Sequence, residues 1–234
     1  MKIVKEFSRF ASEYDTYNVI QKEVAKKLIT YVDNKKYNTI LDIGSGDGAV
    51  YKYLKKEVSF NKFIALDFSK EMLELHPYED NIEKICMDFN EVNLSKVFNN
   101  IQIDLLISSS ALQWSRDLDS VLFDISKVST MCHFSLFTAN TFKTLHQTAN
   151  ISSPIYSKLE IINALNKLFI YDIETVHYKL NFDSVQEMLR YIKHSGVSGG
   201  VKQLSFKKMK KLIVEYPLDY LEFEVIFVTI NGNK

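Results

Sequence analysis

Little in this chain is extreme: cysteine is scarce, neither charge predominates and long apolar runs are missing. The two cysteines, Cys86 and Cys132, sit in apolar stretches and belong to no C-x-x-C pair. That leaves no ground for a thiol redox motif or a cysteine metal site, and inert buried thiols are the simpler reading. Lysine plus arginine, 29, balance aspartate plus glutamate, 29, so no bulk field draws the chain to nucleic acid or to an anionic membrane. No apolar stretch approaches the roughly 18 residues of a bilayer span, and the opening MKIVKEFSRF lacks the apolar segment of a signal peptide. A cytoplasmic protein that binds neither membrane nor nucleic acid is expected. No internal repeat or low-complexity segment divides the chain, and 234 residues suit one α/β domain with a sizeable core.

Short apolar runs alternate with amphipathic stretches. Thr39–Ile43, Phe63–Phe68, Lys84–Phe89, Ile103–Ser108 and His133–Thr138 read as strands, and Ala49–Lys56, Lys70–Leu75, Asn90–Val97 and Asp117–Ser129 as helices between them. Near-continuous apolar strands alternating with helices imply a parallel sheet covered on both faces. Before the first strand, Ile20, Val24, Leu28 and Tyr31 recur at helical spacing and predict a helix over Glu13–Tyr31. Residues 1–35 are therefore expected to form a helical cover. The C-terminal half predicts strands at Leu168–Leu180 and Leu221–Ile230, with helices at Ser184–His194 and Phe206–Tyr216 joined by SGVSGG. That helix pair, within an insertion over residues 181–217, is expected to act as a lid.

The chemistry gathers at LDIGSGDG, Leu41–Gly48, where a strand runs into glycines and a helix follows. Such a turn lets backbone approach a ligand and offers helix N-terminal amides to an anionic group. Two spacings sharpen the signal. Asp67 ends the next strand, placed to accept the hydroxyls of a ribose. Asp88 and Phe89 end the third, a carboxylate for an exocyclic amine beside an aromatic for a base. A dinucleotide fingerprint would read G-x-G-x-x-G, whereas here the third glycine comes one position early. Asp42, just before the turn, suits a cationic ligand such as a sulfonium. The plain structural roles of these acids are turn capping for Asp42, helix capping for Asp67 and a surface turn for Asp88.

The series LDIGSGDG, IALDFS with Met72 following, CMDF and ISSSALQW resembles the motifs of class I S-adenosylmethionine-dependent methyltransferases over Ile40–Thr138. The resemblance implies an α/β, Rossmann-like sheet of seven strands, the last antiparallel, with helices on both faces. It implies S-adenosyl-L-methionine as cofactor, held by Asp42, Gly44, Ser45, Gly46, Asp67, Phe68, Met72, Asp88, Phe89 and Ser108. A finer resemblance is to the malonyl-[acyl carrier protein] O-methyltransferases of biotin synthesis. It is carried by FSRFASEYD (Phe7–Asp15) with Gln21 and Ala25, ALQW (Ala111–Trp114), TLHQ (Thr144–Gln147), MLRYIKHSGV (Met188–Val197) and YPLDYLEFEVIFVTI (Tyr216–Ile230). Three departures stand out: Ser45 replaces the family's usual cysteine, SSS its asparagine, and Thr130–Cys132 its glycine-rich turn.

The implied acceptor is the free carboxylate of malonyl on acyl carrier protein or coenzyme A. A carboxylate is already ionised near neutral pH, so no general base is needed. Arg190 and Lys193, three apart on one helix face, are expected to hold it, with Tyr14, Gln113 and Trp114 as further pocket residues. His146 is either a pocket wall or a helix-surface residue. The lysines Lys202, Lys207, Lys208, Lys210 and Lys211 form either a solvated face or a docking patch for an acidic carrier. A monomer is expected. The competing functions are methylation of another small acid or hydroxyl acceptor, and a cofactor-binding module without catalysis.

Overall fold

The computed structural model describes residues 17–194 and 205–234. Tyr14, the FSRFASEYD segment, the SGVSGG linker and Lys202 lie outside them. Helix α1 (Val19–Ile29) precedes β1 (Lys36–Ile43), α2 (Ala49–Glu57), β2 (Ser59–Asp67), α3 (Lys70–Leu75), β3 (Ile82–Cys86), α4 (Leu94–Val97) and β4 (Leu105–Ser109). A 3-10 turn (Leu112–Trp114), α5 (Leu118–Val128), β5 (Cys132–Phe137), α6 (Lys143–Ala149) and α7 (Lys158–Asn166) come next. The chain closes with β6 (Phe169–Asn181), α8 (Val185–His194), α9 (Phe206–Glu215) and β7 (Tyr220–Asn233).

The seven strands lie in the order β3-β2-β1-β4-β5-β7-β6, with β7 antiparallel to both of its neighbours and the pairs from β3 to β5 parallel. Alternation along each strand sends side chains to two cores. Ile40, Phe63, Ala65, Leu105 and Ile107 join α1 and α2 on one face, and Leu41, Ile43, Ile64, Leu66 and Leu106 join α5 and α7 on the other. A fully buried leucine, isoleucine or phenylalanine in either layer is worth roughly 1.5–3 kcal/mol over an exposed one.

Helix starts follow side-chain chemistry. Ser69 Oγ accepts from Met72 N–H at 3.2 Å, and Asp117 Oδ1 from Ser120 N–H at 3.1 Å, each replacing a partner that the first helical turn lacks. Two helices were not expected from the sequence. In α6, KTLHQTA has almost no apolar period, while α7 announces itself by a capping box, Ser157 with Glu160. The strand predicted to end at Phe89 stops at Cys86, which leaves Asp88 and Phe89 in the loop beyond.

Helix α8 turns Met188, Tyr191 and Ile192 into the same core as α1, and α9 adds Leu212. Tyr191 stands 6.2 Å from Tyr17 and 5.3 Å from Phe182, ring to ring. The helix pair thus packs on the face that α1 covers. Among the described residues no helix is long and apolar enough to cross a membrane.

Candidate functional site

The parallel register brings four strand ends level. Ile43 pairs with Leu66, Asp67 with Cys86, and Asp42 with Ile107, so the turns after β1, β2, β3 and β4 meet along one edge. A single cavity there is lined from all four turns and from α1, as open parallel sheets favour.

Two glycines make the turn after β1 feasible. Gly44 has φ +72°, and a Cβ on it would lie 2.2 Å from Ala111 Cβ, so the β1 turn rests directly on the segment after β4. At Gly48, φ +83°, a Cβ would meet Pro77 at 2.7 Å and the His76 ring at 2.8 Å. Most of the turn's own amides are taken up within the protein. Gly44 and Ser45 N–H donate to Leu66 O (2.7 and 3.0 Å), and Gly48 N–H to Ser45 O (3.0 Å). Gly46 N–H donates to Asp67 Oδ2 at 2.9 Å. These four donors are engaged within the protein, which disfavours a pyrophosphate here.

Asp67 is 7% exposed and also accepts from Ser69 N–H through Oδ1 at 2.8 Å. Burial raises its carboxyl to about 6, opposed by backbone N–H groups and aided slightly by Asp88. Phe68 and Met72 line the cavity beside it. Beyond β3, Asp88 Oδ1 accepts from Asn90 N–H at 2.9 Å and from Asn90 Nδ2 at 3.1 Å. Asn90 Oδ1 in turn accepts from Arg116 N–H at 2.8 Å, and the Arg116 guanidinium pairs with Glu91 at 2.6 Å. Asp88, Phe89, Asn90 and Arg116 form that end of the cavity.

The structure brings Gly44, Ser45, Gly46, Asp67, Phe68, Met72, Asp88, Phe89 and Trp114 to the lining and leaves four expected residues off it. Ser108 donates to Ile43 O at 2.8 Å, because strand alternation turns it inward and gives the cavity to Ser109. Gln113 is buried and donates to Ser110 O at 2.6 Å, closing the turn after β4. Asp42 is fully buried without a partner for either oxygen among the described residues. It is not among the residues that line the cavity. Burial, with Asp67 nearby, pushes its carboxyl well up. Arg190 is exposed, since Met188, Tyr191 and Ile192 occupy the inward face of α8 and residue 190 points away. The side chain of Lys193 lies outside the described set. His146 is partly buried on α6, off the cavity, and burial lowers its pKa against the pull of Glu222.

Other lining residues escaped the sequence reading: Asn18 and Lys22 on α1, Asp47 and Ala49–Val50 at the glycine turn, Asn90, Ser110 and Arg116. A signal existed for the first pair. Asn18, Gln21, Lys22 and Ala25 are polar or small at positions i, i+3, i+4 and i+7, a stripe that an ordinary core-facing helix would fill with larger apolar residues. Ser110 has φ +58° and an Oγ without a partner among the described residues.

Carboxylates at Asp47, Asp67 and Asp88, aromatics at Phe68, Phe89 and Trp114, and a turn with its amides engaged fit an adenosyl sulfonium better than a dinucleotide. The comparisons agree. A family model described as a methyltransferase domain matches residues 41–130. A malonyl-[acyl-carrier protein] O-methyltransferase of Priestia megaterium is 29% identical over 221 residues, 91% of this chain and 74% of that one. One from Ilyobacter polytropus is 27% identical over 248 residues, 97% and 93% of the two chains. Among solved structures, a methyltransferase of Bacillus halodurans matches with a TM-score of 0.62 at 13% identity, covering 89% of this chain and 98% of that one. Haemonchus contortus phosphoethanolamine N-methyltransferase 2, solved with S-adenosyl-L-methionine, gives 0.53 at 14% identity, covering 91% and 52%.

The chain has the class I methyltransferase fold and carries a methyltransferase domain, with S-adenosylmethionine as its methyl donor. It is an O-methyltransferase, similar along most of its length to malonyl-[acyl-carrier protein] O-methyltransferases.

Proposed function

We propose that this enzyme methylates the free carboxylate of malonyl carried on acyl carrier protein, or on coenzyme A, giving the methyl ester used in biotin (pimeloyl) synthesis. The observation that carries the reading is the extent of the similarity. It runs through 97% of the chain and 93% of the Ilyobacter relative, well beyond the shared domain at 41–130, and so includes α1, which lines the cavity, and the α8–α9 pair packed on the same face of the sheet.

Bound S-adenosylmethionine supplies an electrophilic methyl group on a sulfonium. The chain's own residues then bind and orient. Asp67 would receive the ribose hydroxyls through lone pairs that Gly46 and Ser69 leave open, Asp88 would receive the adenine amine, and Phe89 and Phe68 would cover the ring and sugar. Gly46 would let the ligand pass close to backbone, Gly44 lets the segment after β4 close against the turn, and Met72 would pack beside the ligand. Trp114 and Ser110, on the segment resting against Gly44, would face the transferred methyl and exclude water from the acceptor oxygen. No proton has to move, because the acceptor is ionised, and alignment alone can supply roughly 7–11 kcal/mol. Carrier protein docks on the lysines of α9, where Lys210 and Lys211 are exposed and complementary charge would steer an acidic partner.

The outward placement of Arg190 favours keeping a second reading, another small carboxylic acid or hydroxyl acceptor. Both are tested by incubating pure protein and S-adenosylmethionine with malonyl-[acyl carrier protein], malonyl-CoA and a panel of acids, followed by intact mass. A single added methyl on the malonyl carrier supports the first reading. Methylation confined to the free acids supports the second.

A further inference from the structure

The most unusual polar residue on the cavity wall is Asn18. It occupies the N-cap position of α1, with φ −93° and ψ 31°, yet its side chain makes no capping hydrogen bond. Asparagine at that position ordinarily folds back on the N–H groups of the first turn. Here the side chain is 1% exposed, lines the cavity, and its Oδ1 has no partner among the described residues. A buried carbonyl oxygen withheld from its own helix calls for a donor that the protein does not supply.

Strand order says which part of the ligand that donor belongs to. Across the tips run β3, β2, β1 and β4. With Asp88 and Phe89 beyond β3 at the base and Asp67 at the end of β2 on the ribose, the far end of the ligand falls at β1 and β4, where the cavity wall is α1. This orientation is that of the proposed function, and the inference rests on it. The cofactor's far end is an amino acid, whose α-ammonium is a donor. An acceptor carboxylate donates nothing to Oδ1. Lys22, one turn along the same wall, brings the charge that suits the amino acid's carboxylate.

We propose that Asn18 holds the amino-acid end of the cofactor by accepting a hydrogen bond from its α-ammonium group. The test is equilibrium binding, read from quenching of the lone tryptophan, Trp114, and by calorimetry. The ligands are S-adenosylhomocysteine and 5′-methylthioadenosine, which shares the adenosyl thioether but has no amino acid. Asn18→Leu should weaken S-adenosylhomocysteine roughly tenfold or more and methylthioadenosine less than about twofold. Asn18→Asp, which keeps an acceptor oxygen, should retain S-adenosylhomocysteine within about threefold. Equal weakening of both ligands by Asn18→Leu, no weakening of either, or loss of S-adenosylhomocysteine by Asn18→Asp as severe as by Asn18→Leu would each overturn the proposal. Asp88→Ala is the control for orientation and should weaken both ligands alike. If it weakens neither, the base reading has failed and takes this inference with it, whereas a normal Asp88 response with an unresponsive Asn18 removes Asn18 alone.

Discussion

Asp67 should make folding and cofactor binding respond to pH in opposite directions. Its carboxyl is raised from an ordinary 3.8 to about 6, chiefly by burial. The folded chain therefore binds a proton at Asp67 between those values where the unfolded chain does not. The stability this contributes is complete below about pH 3.8 and is gone above about pH 6. Two pH units correspond to about 3 kcal/mol. Cofactor hydroxyls donate to the ionised form, so affinity should climb as pH rises toward 6, by up to tenfold per unit, and then level off. Asn at position 67 cannot titrate, which makes Asp67→Asn the reference even though it carries a fixed offset from its misplaced amide. Urea unfolding of both proteins from pH 4 to pH 7.5 should show the wild type losing about 3 kcal/mol relative to the variant. Titration with S-adenosylhomocysteine over the same range should be steep in the wild type and nearly flat in the variant. A stability difference that stays constant with pH, or grows in favour of the wild type, would refute the reasoning, because Asp67 would then be ionised throughout. Asp42 is raised by burial and also by Asp67, so its own titration shifts in the variant; carrying Asp42→Asn in both proteins removes it from the comparison.

Two further outcomes are expected. Gly44→Ala combines a positive φ with a Cβ 2.2 Å from that of Ala111, so thermal unfolding should report at least about 3 kcal/mol of destabilisation; a loss under about 1 kcal/mol would mean that the turn and the segment after β4 part easily. Charge reversal at Lys207 and Lys208 should lower kcat/KM for carrier-bound malonyl by roughly tenfold while leaving malonyl-CoA within twofold, and equal loss with both substrates would remove the docking surface.

What was legible in the sequence is what depends on local pattern. The strands that bracket Asp67 and Gly44 announced themselves through unbroken apolar runs, and the helix starting at Lys70 matched its prediction residue for residue. Helix α7 was equally legible through its Ser157–Glu160 capping box but passed unread. Helix α6, held by Leu145 and Ala149 in a core, carries almost no pattern of its own.

The sequence by itself determined the alternation that makes a covered parallel sheet, and it placed a glycine turn and Asp67 at strand ends, with Asp88 just beyond one, because burial and turn geometry act on neighbouring residues. Only the tertiary structure decided that Ser109 and Ser110 face the cavity while Ser108 does not, that amides of the turn are taken by Leu66 and Asp67, that Arg190 looks outward, and that Asn18 Oδ1 has no partner among the described residues. Each of those depends on what lies across from a residue in space, and register between distant strands, not spacing along the chain, sets that.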